Sequence, residues 1–341
     1  MWLYNFGLSL YAFAIALVSP WHRKAKRWRD GRKHLLQRMA EAIDPSEPIV
    51  WVHVASLGEF EQGRPIIEKI RLEHPRYKIL LTFFSPSGYE IRKDYPGADY
   101  IFYLPIDTPR NARRFLDIVR PEIAIFVKYE FWINLLTGLR RRGIRTYIVS
   151  AIFRRNSVFF RQWGGLWRQA LETFDTLFVQ NEESRILLGK LGFDNVVVAG
   201  DTRFDRVAQI AANAKRIELV ERFRGGERLF VAGSTWGPDE ELLIELMNAN
   251  PGIKFVVAPH EMDESRIARL IGETRGGAVR YTRCTDSTVL DDKQLLILDT
   301  VGILASVYGY ATWAYIGGGF GVGILSLIHI SEPTRHLRIS Y

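Results

Sequence analysis

Six short stretches place acids, hydroxyls, a cation or clustered glycines where an apolar run ends. In "HVASLGEFEQGRP" (53–65), Glu59 follows Ser-Leu-Gly at the junction expected between a buried strand and a helix. A carboxylate there can take a proton from an alcohol, a step worth about 10²–10⁴ in rate. The same spacing, Ser56-x-x-Glu59, is also a capping box, so position alone supports a helix start as readily as catalysis. Glu130 in "KYEFWINLL" (128–136) repeats the arrangement after "EIAIFV", and is expected to open an amphipathic helix. In "AGDTRFDR" (199–206) a strand ends in Gly200-Asp201 and brings Arg203 and Asp205 into reach, a cation suited to phosphate or carboxylate.

Further along, "VAGSTWGPDEE" (231–241) reads as a strand, a small hydroxyl-bearing turn with Ser234 and Thr235, and a helix start. Backbone N–H groups and the positive helix end suit phosphate there. It is neither a Walker A loop nor a G-x-G-x-x-G fingerprint. "VVAPHE" (256–261) sets Pro259 and His260 at the next strand end, and "GGGFGVG" (317–323) has five glycines among seven residues, permitting close backbone approach. No Cys/His cluster has zinc spacing, so no metal site is expected.

These positions call for a scaffold that delivers strand ends to one edge. Apolar runs at 49–56, 78–84, 100–106, 122–127, 145–151, 176–181 and 196–200 alternate with stretches of helical spacing. Near-continuous apolar strands separated by helices indicate βαβ units and a parallel sheet covered on both faces. Such sheets bind ligands at the carboxyl ends of their strands. A polar helical stretch at 207–227 interrupts the rhythm, which restarts at 228–234, 254–260, 278–283, 294–299 and 313–319. Two α/β domains are expected, as the 341-residue length also suggests.

The amino terminus differs. Residues 1–19 carry no charge, and 21–34 hold seven Lys/Arg against one Asp, within a net charge of +8. As a helix the apolar run would be roughly 28 Å long at 1.5 Å per residue, barely a hydrocarbon core. The cations follow the apolar run, which argues against a secretory signal and favours a cytoplasmic body beside anionic lipid headgroups. A membrane anchor, spanning or interfacial, is expected over 1–35. No nucleic-acid motif accompanies the basic charge. One cysteine, Cys284, rules out an intramolecular disulfide.

With "SLGE", "YEFW", "QNEES", "GDTRFD", "GSTW", "APHE" and "GGGF" in this order, the chain resembles the 3-deoxy-D-manno-octulosonic acid (Kdo) transferases up to about Ile324. The resemblance implies a GT-B-type α/β fold of two Rossmann-like domains around a cleft, no metal or cofactor, and inverting transfer of Kdo from CMP-Kdo. The acceptor would be a lipid A precursor, lipid IVA, at the cytoplasmic face of the inner membrane. Residues 36–206 would bind the acceptor, and 207–324 the nucleotide sugar. By the same resemblance Glu59 is the catalytic base, with Glu130 and Arg203 supporting the transition state. The family commonly has lysine at the latter position. Ser234, Thr235, Pro259, His260, Val301, Gly302, Ile303, Gly317, Gly318 and Gly319 fall on the CMP side; Pro259 stands where the family often has arginine.

After "GGGFGVGI" the family continues with His-Asn-x-x-Glu, whereas this chain reads "LSLIHISEPTRHLRISY" (325–341). That tail resembles translated adapter DNA joined to a truncated gene. The expectation is an incomplete second domain and an inactive polypeptide as written. Other readings are a different nucleotide-sugar transferase or epimerase of similar fold, and a membrane-attached binding protein without turnover. The apolar amino terminus argues against an epimerase.

Overall fold

The structure, a computed structural model, describes residues 1–202 and 216–319. The chain divides into two compact units, Met1–Arg203 and Phe204–Tyr341.

The first unit is built on a seven-stranded parallel sheet. In chain order the strands are β1 (Ile49–Val54), β2 (Lys78–Phe83), β3 (Tyr100–Tyr103), β4 (Ile123–Val127), β5 (Arg145–Ala151), β6 (Thr176–Val179) and β7 (Val196–Val198). Their spatial order is β3-β2-β1-β4-β5-β6-β7, with Val50 opposite both Ile79 and Ile123. The chain runs outward to β3 and then crosses back to place β4 against β1. That reversal opens a crevice between the carboxyl ends of β1 and β4, the switch point at which such sheets take ligands.

The apolar runs are long because both faces are covered. Trp51, Leu80, Phe126 and Ile148 pack on one side, and Val52, Val54, Leu81 and Val127 on the other. Helices α1 (Trp2–Val18), α2 (Arg23–Asp30), α3 (Leu35–Ala42), α4 (Leu57–Glu73), α5 (Pro86–Arg92), α6 (Pro109–Val119), α7 (Ile133–Arg141), α8 (Gly165–Leu171) and α9 (Glu182–Gly189) connect and cover the strands. Gly63 lets α4 lie close on the sheet, because a Cβ there would meet Val127 at 3.2 Å and Val54 at 3.4 Å.

The second unit has a five-stranded parallel sheet: β8 (Leu229–Thr235), β9 (Lys254–Pro259), β10 (Ala278–Arg280), β11 (Leu295–Ile297) and β12 (Trp313–Ile316), in spatial order β10-β11-β9-β8-β12. Its helices are α10 (Glu218–Arg224), α11 (Gly237–Ala249), α12 (Glu264–Glu273) and the short α13 (Leu304–Val307). A second switch point lies between β8 and β12.

The expected strands are all present; most are trimmed by up to three residues, β5 keeps its expected bounds and β8 runs one residue further, to Thr235. Glu130 does not open a helix: α7 starts at Ile133, and Glu130 lies in the loop before it. Of the helical expectation over 207–227, α10 is the helix described, while 203–215 and the tail from 320 lie outside the described residues.

The amino-terminal segment belongs to the first unit. Tyr4 donates to Asp107 (2.7 Å), and Asn134 Nδ2 donates to Asn5 (2.9 Å), so one face of α1 is tied to the body. No helix among the described residues is long and apolar enough to cross a membrane. The spanning form of the expected anchor therefore has no helix in residues 1–35. Nor is the basic segment all solvent-facing. Ala25 and Trp28 are buried, and Arg32 stacks on Trp28 while donating to the carbonyls of Leu104 (2.9 Å) and Phe84 (2.8 Å).

Candidate active site

The carboxyl edge of β1 hands the chain to α4 through Ser56, the N-cap in extended conformation. Glu59, in the first turn, folds its carboxylate back onto the amides of Ala55 (2.6 Å) and Ser56 (3.2 Å). Both bonds end on Oε2. Oε1 has no hydrogen-bond partner among the described residues. The group is thus capped through one oxygen and open through the other.

Glu130 arrives from the neighbouring strand end, after β4. It is buried, with Oε2 accepting from Trp132 Nε1 at 2.7 Å and lying 3.0 Å from His53 Nε2. His53, fully buried near the carboxyl end of β1, has Nδ1 2.9 Å from the Thr82 hydroxyl, and that hydroxyl accepts from Trp51 Nε1 at 2.8 Å. An indole can only donate. A carbonyl can only accept, so Nδ1 can carry a proton toward Thr82, whose carbonyl lies 3.1 Å away, while Nε2 faces both the Trp132 indole N–H at 3.0 Å and the Glu130 carboxylate. Trp51, Thr82, His53, Trp132 and Glu130 thus form one connected buried polar network at this edge.

The Glu130 charge is felt next door. Burial first, and then the negative charge of Glu130, push the Glu59 carboxyl up to about 7; the Ala55 amide, the Lys128 ammonium and the Ser56 amide pull the other way. A group near 7 can both hold and release a proton at neutral pH. Lys128 occupies the turn between β4 and Glu130 with φ 71, and Ser150, ending β5, has φ 52. Left-handed backbone in side-chain-bearing residues is costly and collects at functional edges.

Asp201 and Thr202 reach this edge too. Gln62 of α4 donates to Asp201 (2.9 Å), while the Thr202 hydroxyl donates to the Gln62 carbonyl (2.6 Å) and lies 2.9 Å from that of Ser150. Arg203, the expected transition-state cation, lies outside the described residues.

In the second unit the switch point between β8 and β12 gathers most of the expected nucleotide-side positions. Ser234 (φ 53) and the fully buried Thr235 end β8. Thr235 donates to Glu240 (3.0 Å), and its carbonyl accepts from the His260 amide at 2.9 Å. Pro259 pairs with Thr235 across β8 and β9, and the His260 ring stacks on Trp236 at 4.5 Å. Gly317 follows β12 so closely that a Cβ would fall 2.5 Å from the Ser234 carbonyl. The Gly318 amide donates to Asp239 (2.9 Å) with φ 93, and Gly319 is exposed. Val301, Gly302 and Ile303 stand in the loop after β11. Val301 is 90% exposed, and the recorded bonds of Ile303 run to its own helix turn. No group of three or more potential metal-binding side chains occurs among the described residues.

Residues 26–206, more than half of the chain, match the family described as 3-deoxy-D-manno-octulosonic-acid transferase (kdotransferase). The chain belongs to the Kdo transferase family. It is 24% identical over 301 residues to a 3-deoxy-D-manno-octulosonic acid transferase of Haemophilus influenzae, covering 83% of this chain and 69% of the relative. The relative from Aquifex aeolicus is 26% identical, covering 86% and 75%. A bifunctional glycosyltransferase/methyltransferase of Fusobacterium nucleatum is 24% identical over 91% of this chain, which spans about half (49%) of that protein. Among solved structures, a UDP-GlcNAc 2-epimerase of Neisseria meningitidis bound to UDP-GlcNAc superposes with a TM-score of 0.53 at 12% identity, covering 80% of this chain and 78% of that one. MurG of Acinetobacter baumannii gives 0.50 at 11% identity, covering 79% and 71%. These likenesses carry the GT-B-type α/β fold.

For this Kdo transferase family member, the strand-end rule brought Glu59 and Glu130 to the same switch point. His53, Thr82, Trp51, Trp132 and Lys128 were not singled out. A signal for His53 was available, since a polar residue inside the apolar run "IVWVHVAS" needs a buried partner. Its partners come from β2 and the loop after β4, which only strand order supplies.

Proposed function

We propose that the chain is the scaffold of an inverting glycosyltransferase that moves Kdo from CMP-Kdo to a hydroxyl of a lipid A precursor such as lipid IVA, in lipopolysaccharide synthesis. The observation that carries this reading is the pair of carboxyls at the β1/β4 switch point, with Glu59 near neutrality and one of its oxygens open. In the proposed step Glu59 Oε1 takes the proton of the acceptor hydroxyl. The acceptor oxygen then bonds to the anomeric carbon of Kdo as the bond from that carbon to the CMP phosphate oxygen breaks, and CMP departs with the electron pair. The negative charge of Glu130, positioned beside His53 and Trp132, keeps Glu59 basic enough for the task, and Lys128 is placed to offset charge nearby. Arg203 would add a further cation. Ser234, Thr235, His260 and the glycines after β12 would receive the CMP moiety, with Val301–Ile303 at its margin.

Attachment to a membrane surface belongs to the same proposal. The exposed side chains Trp2, Leu3, Phe6, Leu10, Phe13 and Leu17 fall on one stripe of α1, roughly 100° wide at 3.6 residues per turn. Their exposures run from 57% to 74%. The opposite face, with Tyr4, Asn5, Leu8 and Ile15, is the half-buried one. An apolar stripe pointing away from the body, followed by the exposed Arg23, Lys24, Lys26 and Arg27, suits a helix lying in the interface of an anionic leaflet. The lipid-borne acceptor would be met there, at the cytoplasmic face of the inner membrane.

The test uses two proteins: the 341-residue chain, and residues 1–324 continued by the carboxyl-terminal segment of the Aquifex aeolicus relative. Each is incubated with CMP-Kdo and lipid IVA in detergent, and the acceptor is weighed by mass spectrometry. A mass gain of one or more Kdo units with either protein, lost in Glu59→Gln, supports the proposal. Transfer by neither protein, or transfer undiminished by Glu59→Gln, refutes it.

A further inference from the structure

A recess of about 680 Å³ opens between α6 and α7 at the amino end of α1, where Met1 and Asn5 form part of its wall. Arg110 and Arg113, from the first turns of α6, and Arg141, ending α7, line it. All three are exposed, and none has a carboxylate partner among the described residues. Arg142, on the same wall, is already paired with Asp117 at 2.6 Å. Three guanidinium groups without an acid partner, gathered around one recess, make an unneutralised field. Nearby, Asp107 is turned inward, accepting from Tyr4, from the Asn134 amide (2.9 Å) and from the Leu135 amide (2.9 Å). Asp107 is thus consumed in fixing α1, as Asp117 is in pairing Arg142.

The recess is therefore rigidly joined to the apolar stripe. Cations stand at both ends of α1: Arg110, Arg113 and Arg141 at its start, and Arg23, Lys24, Lys26 and Arg27 after its end. The helix between is about 26 Å long at 1.5 Å per residue. We propose that the Arg110–Arg113–Arg141 recess binds the phosphate of an anionic phospholipid headgroup while the α1 stripe lies in the same leaflet. Guanidinium groups match phosphate through paired N–H donors. The inference rests on the interfacial placement of α1 proposed above, and adds a defined headgroup site to it.

The experiment is cosedimentation of the full chain with vesicles of phosphatidylcholine alone and of an equimolar mixture with phosphatidylglycerol. A cation near an anionic surface is worth about fivefold in partitioning, so Arg110→Ala/Arg113→Ala/Arg141→Ala is expected to weaken binding to the mixed vesicles on the order of a hundredfold. Binding to phosphatidylcholine should hardly change. A matched triple in the second unit, Arg224→Ala/Arg275→Ala/Arg283→Ala, controls for net charge. Equal losses in the two triples, or no loss in the first, would overturn the proposal. Leu10→Glu/Phe13→Glu tests the placement of α1 separately and should reduce binding to both kinds of vesicle. If it changes nothing, the interfacial reading fails by itself. Titration with soluble glycerophosphoglycerol and with inorganic phosphate distinguishes the source. Binding of the free anions, lost in the arginine triple but with no vesicle binding, would mean a soluble phosphate ligand and would overturn the lipid assignment.

Discussion

Replacing Glu59 by glutamine changes one oxygen to an amide nitrogen and removes one titration. In the folded chain that carboxyl titrates at about 7, against 4.5 for an unperturbed one. At about 1.36 kcal/mol for each tenfold change in acidity, holding Glu59 ionised costs the folded state roughly 3 kcal/mol. The sign follows from which form the fold prefers. A carboxyl raised on folding contributes stability that is complete below pH 4.5 and is lost as pH rises through 7. Glutamine cannot ionise and loses nothing over this window. The stability of Glu59→Gln relative to wild type should therefore climb from a flat baseline near pH 4 to a plateau about 3 kcal/mol higher above pH 8. Asp107, also pushed up to about 7 by burial, shares the trend but is present in both proteins and cancels.

Urea denaturation followed by tryptophan fluorescence at a series of pH values measures the difference. Seven of the nine tryptophans lie in residues 1–203, so the signal reports chiefly on the unit that holds Glu59. Parallel stability profiles for the two proteins from pH 4 to 9 would refute the reasoning, because they would mean that Glu59 titrates as a solvated surface acid. If such parallel profiles were also offset, the variant being less stable by a constant amount, a lost capping bond would account for the offset. In the active protein the same titration should appear as a fall in transfer rate below about pH 7.

Other consequences can be tested with single substitutions. His53→Ala removes a partner from the buried network around Glu130 and is expected to cost about 3 kcal/mol, read by urea denaturation at pH 8; a loss under about 1 kcal/mol would contradict that network's part in holding the edge. Tyr4→Phe deletes the hydroxyl that ties α1 to Asp107 and should cost about 1–3 kcal/mol, with faster proteolysis within residues 1–35. Unchanged cleavage would show that α1 is held by something else. Gly317→Ala sets a methyl 2.5 Å from the Ser234 carbonyl, so the β8 and β12 ends must part. The expected loss is about 1–3 kcal/mol together with weaker CMP binding by calorimetry, and wild-type affinity would argue against a nucleotide site there.

The strands were legible because each is a run of apolar residues long enough to be buried on both faces, and their alternation with helical spacing dictated a parallel sheet. Legibility stopped at relations between strands. "IVWVHVAS" shows a histidine in an apolar strand, but only the placement of β2 and β4 on either side of β1 puts Thr82 at one ring nitrogen and Glu130 at the other. Glu130 itself was expected to begin a helix. It stands instead in a loop that lets its side chain turn inward, a local geometry set by Lys128 in a left-handed conformation that residue type does not announce. The amino terminus was read from hydropathy as an anchor of either kind. Its one-sided exposure depends on Tyr4 and Asn5 finding partners more than a hundred residues away.

The two readings of Glu59 that spacing could not separate turn out to describe one arrangement. As a capping residue it gives Oε2 to the amides at the start of α4, and those bonds fix the carboxylate at the edge of the sheet. Taken alone they would lower its proton affinity and make it a poor base. Burial and the Glu130 charge act in the opposite sense and outweigh them, leaving a group near neutrality whose position is set by the cap and whose Oε1 remains open. A surface capping glutamate would have the position without the basicity, and a buried unpaired one the basicity without a fixed position. The Glu130 charge in this balance is held in place by the Trp132 indole and lies beside His53. Glu130→Gln should accordingly shift the Glu59 titration, followed by carbon-13 NMR of the side-chain carboxyl, toward lower pH while burial keeps it above 4.5. An unmoved titration would separate the two carboxyls and leave Glu59 raised by burial alone.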